Sequence, residues 1–385
     1  MENLIGRIRE TLADEAVNTE RQKNVDLGKS MMVIMLPFIH TIIECTSDEG
    51  LASGIPYLFD SVIGSAFSAP MYMFCMGIGI NYSRNVTFRM ELSRGLRLIG
   101  VFYLLNTCRF LIPYLIGYAI SGDREHFIDP LMYRWLGNDI LLFASLAIMT
   151  SALFRLFRIS DRAMILISLC ATLFTSAVYA LTGDSLDTGS KYGNIFLGYI
   201  IGTDDATGYV ISDFPLLTWL IFPVCGYVFG KVLLRVKDRN KFYSLISPPF
   251  LLIALIYFPL GIYKGWGMFG EGQNCYYHMM IWDVAVSLCL TLGMLGVWSA
   301  LSYRLPQPVM SFFTEVSRNI TSIYCIHWVF VRTITNVILY IIRGTQEMPV
   351  GVTMLLSVLI FIVSYCLARF YRQLKSEFMS RKVLL

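Results

Sequence analysis

Two residues of the first apolar run have the types and the spacing for chemistry. Lys29 and His40 stand eleven positions apart in Lys29-Ser-Met-Met-Val-Ile-Met-Leu-Pro-Phe-Ile-His40. On a helix rising about 1.5 Å per residue the interval covers roughly 16 Å, half the hydrocarbon thickness or a little more. Glu44 follows His40 by one helical turn on the same face. Its carboxylate can therefore accept a hydrogen bond from one ring nitrogen and leave the other as a base, the two-member logic of general-base catalysis. Pro37 removes the helical partner of the Val33 carbonyl and bends the run within a turn of His40, which would open the imidazole to a cavity. A reactant anchored by phosphates near Lys29 reaches His40 only through a long, thin, largely uncharged arm, and coenzyme A has that shape. The competing reading of His40 is an interhelical hydrogen bond near the membrane interface.

Few other ionisable groups lie in apolar runs, where a charge is costly unless paired. Arg109 and Arg332 are the basic ones, and Asp60, Asp139 and Asp283 are acids at comparable positions. Each arginine should meet such an acid or a ligand, with a structural ion pair the safer reading for Arg109. His327 lies inside the ninth run, five residues before Arg332, and either lines a donor channel or makes a buried interhelical hydrogen bond. Arg84, Arg94 and Arg97 flank the second and third runs, where they would hold a donor's phosphates or simply set topology. His278 and Asn274 open the eighth run, Asn138 and Asp139 the fourth, and with the outer level of His40 they form a candidate acceptor contact. His126, in an acidic loop, is assigned to solvent.

The elements that must position these residues are membrane helices. The 385-residue chain is 56% apolar and 15% charged, too greasy for a soluble domain of its size. Runs long enough to span a bilayer recur at roughly 27–43, 57–81, 98–119, 139–158, 163–182, 215–235, 246–263, 279–302, 319–342 and 350–370, so about ten helices are expected in an all-α polytopic fold. Alternate connecting segments hold 24 of the 31 Lys and Arg, while the intervening loops hold five against thirteen acids. By the positive-inside rule both termini should be cytoplasmic, and the protein a multi-pass protein of the cell membrane. Gly77-Ile-Gly79 and Gly226-Tyr-Val-Phe-Gly230 are helix-packing signals. The apolar stretch Gly193–Gly202 is too short to span and reads as an interfacial or re-entrant cap on an outward cavity.

Residues 1–26 read as a cytoplasmic surface helix or loose tail, 27–372 as one membrane domain and 373–385 as a cytoplasmic tail, and no cleavable signal peptide is visible. The nine cysteines show no metal spacing; Cys45 and Cys275 fall near the outer surface, where both a bond between them and two free thiols stay open. The net charge of +4 is explained by topology, so nucleic acid is not implied, and the cysteine spacing gives no reason to expect a metal.

Lys29-x10-His40 resembles the Arg/Lys-x10-His signature of the acyltransferase type 3 family, and Ser322-Ile-Tyr-Cys-Ile-His327 is similar to that family's late Tyr-x-x-His element. Phe67–Gly77, Asn138-Asp-Ile-Leu141 and Phe214–Trp219 look more like the heparan-α-glucosaminide N-acetyltransferase branch. The heparan-type enzymes keep a working histidine in the first outer loop, and residues 44–56 contain none, so that role falls to His40. The resemblance implies a transmembrane O- or N-acyltransferase of about ten helices, with acyl-CoA, most simply acetyl-CoA, as cytoplasmic donor. His40 and Glu44 would be catalytic, Lys29, Arg94, Arg97, His327 and Arg332 would hold the donor, and Asn138, Asp139 and His278 the acceptor. That acceptor would be an extracytoplasmic small molecule or cell-envelope glycan, and a homo-oligomer stays open. The alternative class is a multi-helix transporter or flippase that uses its intramembrane charges as a relay; a membrane-embedded sensor or scaffold is a third.

Overall fold

An apolar run in hydrocarbon can satisfy its own backbone N–H and C=O groups only as helix. The computed structural model describes residues 2–83, 86–183, 186–203, 213–270 and 276–383, and it is all-α apart from one isolated bridge between Leu12 and Val236. Nine stretches among the described residues are long and apolar enough to cross a membrane: Lys23–Cys45, Phe88–Ser121, Arg124–Leu156, Asp161–Thr182, Leu216–Leu234, Arg239–Phe269, Ile281–Arg304, Ile320–Arg343 and Val350–Glu377. The protein is a multi-pass membrane protein. The expected second span, 57–81, is not among the nine. It is helical in consecutive pieces, Gly54–Tyr57, a π-helical Leu58–Ser68 and Ala69–Asn81.

Prolines account for two of the irregularities. Pro70 is the second residue of Ala69–Asn81 and Pro113 the second of Ile112–Ser121, and each helix follows directly on a π-helical stretch, Leu58–Ser68 and Thr107–Leu111. A proline lacks an N–H and its ring crowds the carbonyl four residues back, so the preceding turn widens.

Two compact units make up the chain. The first comprises Met1–Val25, Ser65–Asn106 and Met132–Arg304. Its N-terminal segment is no loose tail. After the helix Glu2–Glu10, Ala13 N–H donates to the Arg235 carbonyl (2.7 Å) and Lys237 N–H to that of Thr11 (2.8 Å), while Arg235 Nε donates to the Ala13 carbonyl (2.7 Å). The core gathers Met73, Phe143, Trp219 and Phe222. Its helices Ala69–Asn81 and Ile221–Leu234 approach so closely that a Cβ on Gly77 would strike the Pro223 carbonyl, and one on Gly226 the Phe74 carbonyl. Gly79 has open space around it, so only part of the predicted glycine signal is a contact.

The second unit comprises Asp26–Gly64, Thr107–Leu131 and Leu305–Leu385. Within it Ser317 Oγ donates to Asp26 Oδ1 (2.7 Å) and Ser30 Oγ to the Phe313 carbonyl, tying the helix Lys23–Cys45 to the amphipathic helix Gln307–Arg318. At the other end of the long helix, Met348 N–H donates to the Cys45 carbonyl (2.8 Å). The helix Val350–Val383 absorbs most of the segment expected as a tail.

Gly226→Ala is expected to lower stability by about 2 kcal/mol, because the new methyl meets a backbone oxygen that cannot yield. Gly79→Ala should stay within about 0.5 kcal/mol of the parent. Thermal unfolding of the detergent-purified protein distinguishes them, and equal midpoints would rule out the close approach.

Candidate active site

The helix Lys23–Cys45 runs unbroken through Pro37 and carries both Lys29 and His40. Eleven residues make about three turns, so the two side chains leave the same face of the helix. Lys29 Nζ lies 3.7 Å from Asp26 Oδ1, with a fifth of its side chain exposed. Asp26 is itself buried and held by Ser317. The basic end of the helix is thus anchored.

At the other end the half-buried imidazole of His40 packs on Trp328, with ring centroids 4.0 Å apart, and on His327, at 5.4 Å and an interplanar angle of 24°. His327 is fully buried. Its Nδ1 lies 3.2 Å from the Ile323 carbonyl, which fixes that nitrogen as the donor and leaves Nε2 as the acceptor. Nε2 is buried with no hydrogen-bond partner among the described residues. The element Tyr324-Cys-Ile-His327 places its histidine beside His40, with the Tyr324 ring edge-on to His327 at 5.4 Å.

Trp328 is the centre of the group. The Arg109 guanidinium lies 5.1 Å from its ring centroid and that of Arg332 5.2 Å, and the same two cations stand 4.8 and 5.2 Å from the Phe110 ring. Cation–π attraction of this kind strengthens as water is removed. Arg109 comes from the π-helical Thr107–Leu111, before Pro113.

Glu44 departs from the sequence expectation. Its carboxylate accepts from Arg332 Nη1 at 2.6 Å and from Asn336 Nδ2 at 3.3 Å, and no hydrogen bond joins it to His40. A guanidinium offers a charge-assisted bond that a neutral imidazole cannot match. The acid that Arg332 meets is accordingly Glu44, whereas Asp283 accepts from the Tyr257 hydroxyl (2.9 Å) and Asp60 from Ser61 (3.1 Å). His126 is likewise not left to solvent. Its ring stacks on Tyr340 at 3.6 Å, and Nε2 lies 3.2 Å from the Asn336 carbonyl. Beside it, bonds from the Tyr340 hydroxyl and the His126 N–H hold the Asp123 carboxyl below the usual carboxylate range.

The acceptor candidates fall in the first unit. Asp139 is the N-cap of Ile140–Leu156, its Oδ1 accepting from Leu141 N–H (2.8 Å) and Leu142 N–H (3.3 Å), so this carboxylate is employed in starting a helix. Asn138 Nδ2 donates to the Phe214 carbonyl (3.2 Å), while its buried Oδ1 has no partner among the described residues. His278 is buried and stacks on Tyr179 at 4.7 Å. The tyrosine hydroxyl meets Thr218 Oγ1 at 3.0 Å. Residues 193–202, expected to cap a cavity, begin as the short helix Lys191–Gly198. Arg94 and Arg97 are exposed on Phe88–Asn106 of the same unit. Arg84, Asn274 and Cys275 lie outside the described residues. No group of three or more His, Cys, Asp or Glu placed to hold a metal occurs among the described residues.

Trp328, Phe110 and Asn336 escaped the sequence reading. Trp328 adjoins His327, and Asn336 lies one turn beyond Arg332, so adjacency to a charged membrane residue is the signal that would have found them.

Comparison with known proteins gives one family. Its acyltransferase domain model, of type 3, matches residues 22–369, nearly the whole chain and all of the group around Trp328. No curated protein and no solved structure matches.

Removing one partner of the Glu44–Arg332 pair should be costly, because both side chains are nine-tenths buried and a lone charge would remain. Glu44→Ala is expected to lose about 3 kcal/mol or more in stability. The double variant Glu44→Gln/Arg332→Gln should lose clearly less than the two single changes together. Additive shifts in the unfolding midpoint would rule out a coupled pair.

Proposed function

The chain belongs to the acyltransferase 3 family and is a membrane-embedded transferase, and from that premise we propose that it carries an acyl group, most simply acetyl, from acyl-CoA at the Lys29 end of its long helix to an extracytoplasmic sugar acceptor, with His40 as general base. The reading rests above all on one observation: the imidazole stacked on Trp328 stands at the far end of the same helix face that carries the anchored lysine. Family membership favours this over the transporter or flippase.

In the proposed step the acceptor hydroxyl or amine gives its proton to His40 as its oxygen or nitrogen attacks the thioester carbonyl carbon. The carbon–sulfur bond then breaks, and the departing thiolate takes the proton back from the imidazolium. Negative charge appears transiently on the carbonyl oxygen, and the Arg109 guanidinium bordering Trp328 would supply positive potential for it, the charge of Arg332 being largely met by Glu44. Packing against Trp328 and His327, rather than a bond from Glu44, orients the base. Lys29 would hold a donor phosphate as a point charge.

Sidedness follows from the basic segments: Lys29 inside, His40 toward the outside. An even number of crossings is then needed, and the continuous helical run Gly54–Asn81 would supply the tenth. Asn138, just before the helix Ile140–Leu156, and His278, just before Ile281–Arg304, are the proposed acceptor contacts.

His40→Ala should lower acyl transfer by at least about 10²-fold with membrane insertion unchanged. Lys29→Gln should chiefly raise the KM for acyl-CoA, with kcat within a few-fold of the parent. Assay of purified variants with radiolabelled acetyl-CoA reads both, and full turnover by His40→Ala would overturn the assignment.

A further inference from the structure

Within the second unit the helices Gln307–Arg318 and Val350–Val383 enclose an open cavity of about 550 Å³. Every residue that lines it is of a polar type. Arg318, Thr314 and Ser311 face it from one helix and Arg369, Arg372 and Gln373 from the other. The spacing explains the match: 311, 314 and 318 fall on one side of the first helix and 369, 372 and 373 on one side of the second. The opposite side of Gln307–Arg318 buries Met310 and Val316, which fixes the orientation of its polar side.

The one acid in the lining is already neutralised. Glu315 Oε1 lies 3.3 Å from Arg369 Nε, and its Oε2 accepts from the Tyr365 hydroxyl at 3.0 Å. Arg318 and Arg372 make no ion pair with a described carboxylate. Two forked guanidinia therefore converge on the cavity with their charge uncompensated, beside hydroxyls and an amide that can complete a set of donors. Such a set suits a tetrahedral oxyanion, which guanidinia bind through paired N–H bonds.

Its place in the unit adds to this. Ser317, next to Arg318, donates to Asp26, and Asp26 is the residue that steadies Lys29. The cavity thus opens at the Lys29 end of the helix that carries His40.

We infer that this cavity is a phosphate-binding site. A phosphate could come from the nucleotide end of an acyl donor, which rests on the reading given above, or from an anionic phospholipid, which does not. The full-length protein in phosphatidylcholine nanodiscs can be titrated with coenzyme A by calorimetry, and its retention of added phosphatidylglycerol followed by native mass spectrometry. The variant is Arg318→Gln/Arg372→Gln, both positions being exposed; Arg372→Gln alone serves if the pair fails to fold. A loss of about tenfold or more in coenzyme A affinity, with phosphatidylglycerol unaffected, identifies the nucleotide as the source. Loss of phosphatidylglycerol retention with coenzyme A unaffected identifies the lipid. If folded variant and parent agree on both ligands, the site is refuted. Absence of both coenzyme A binding and acyl transfer in the parent would defeat the acyltransfer reading while the lipid arm still reports on the cavity.

Discussion

A carboxylate and a guanidinium withdrawn from water each cost several kcal/mol unless they meet with good geometry. In the second unit Glu44 and Arg332 meet, and Asn336 completes the carboxylate's bonds. That knot sets the register between the helix Lys23–Cys45 and the run Ile320–Arg343. With register fixed, His40 must lie level with Trp328 and His327, because each stands about one turn from a member of the pair. The second guanidinium, Arg109, then finds the same aromatic rings. The candidate base is positioned by packing that one ion pair enforces.

How much of this was legible in the sequence depends on whether spacing along one helix could decide it. Lys29 and His40 lie on one helix, and their interval survived folding intact. Nine of the ten expected runs recur as candidate spans among the described residues, because length and hydropathy are local properties. The partner of Glu44 was not. Helical spacing put it on the face of His40, but spacing says nothing of what a neighbouring helix brings, and a guanidinium outcompetes an imidazole. For the same reason three aspartates were offered to Arg109 and Arg332, whereas the acid bonded to Arg332 is Glu44. His126 misled in the other direction: its acidic loop suggested water, whereas the ring is stacked on Tyr340 from a distant part of the chain.

Among the acceptor candidates, Asn138 and Asp139 show how one short pattern can hold two different tasks. The carboxylate starts a helix by capping two backbone N–H groups, and a residue so engaged has little left for a ligand. Asn138, one position earlier, uses its amide N–H₂ on the Phe214 carbonyl and retains a buried oxygen without a described partner. A buried polar atom left in that condition costs on the order of 1–3 kcal/mol unless something else satisfies it. Of the pair, the asparagine is therefore the one we propose as an acceptor contact, although the aspartate is the residue that a search for charge selects first.

The prolines carry the argument one step further. A straight α-helix satisfies all its interior carbonyls, and its side chains repeat at fixed angles, so a residue cannot be turned toward a site without moving its neighbours. A π-helical stretch shifts the hydrogen-bond ladder by one residue and resets that angle. Arg109 lies in one such stretch, ahead of Pro113, and Asn336 in another, Ile334–Leu339. Both are polar residues in otherwise apolar runs, and both reach the group around Trp328 and Glu44. His40 needs no such shift, since Pro37 is accommodated within a continuous helix and the lysine-to-histidine face is preserved. Two of the irregular stretches thus fall on residues that reach the site, and the regular helix on the two residues whose separation has to stay constant.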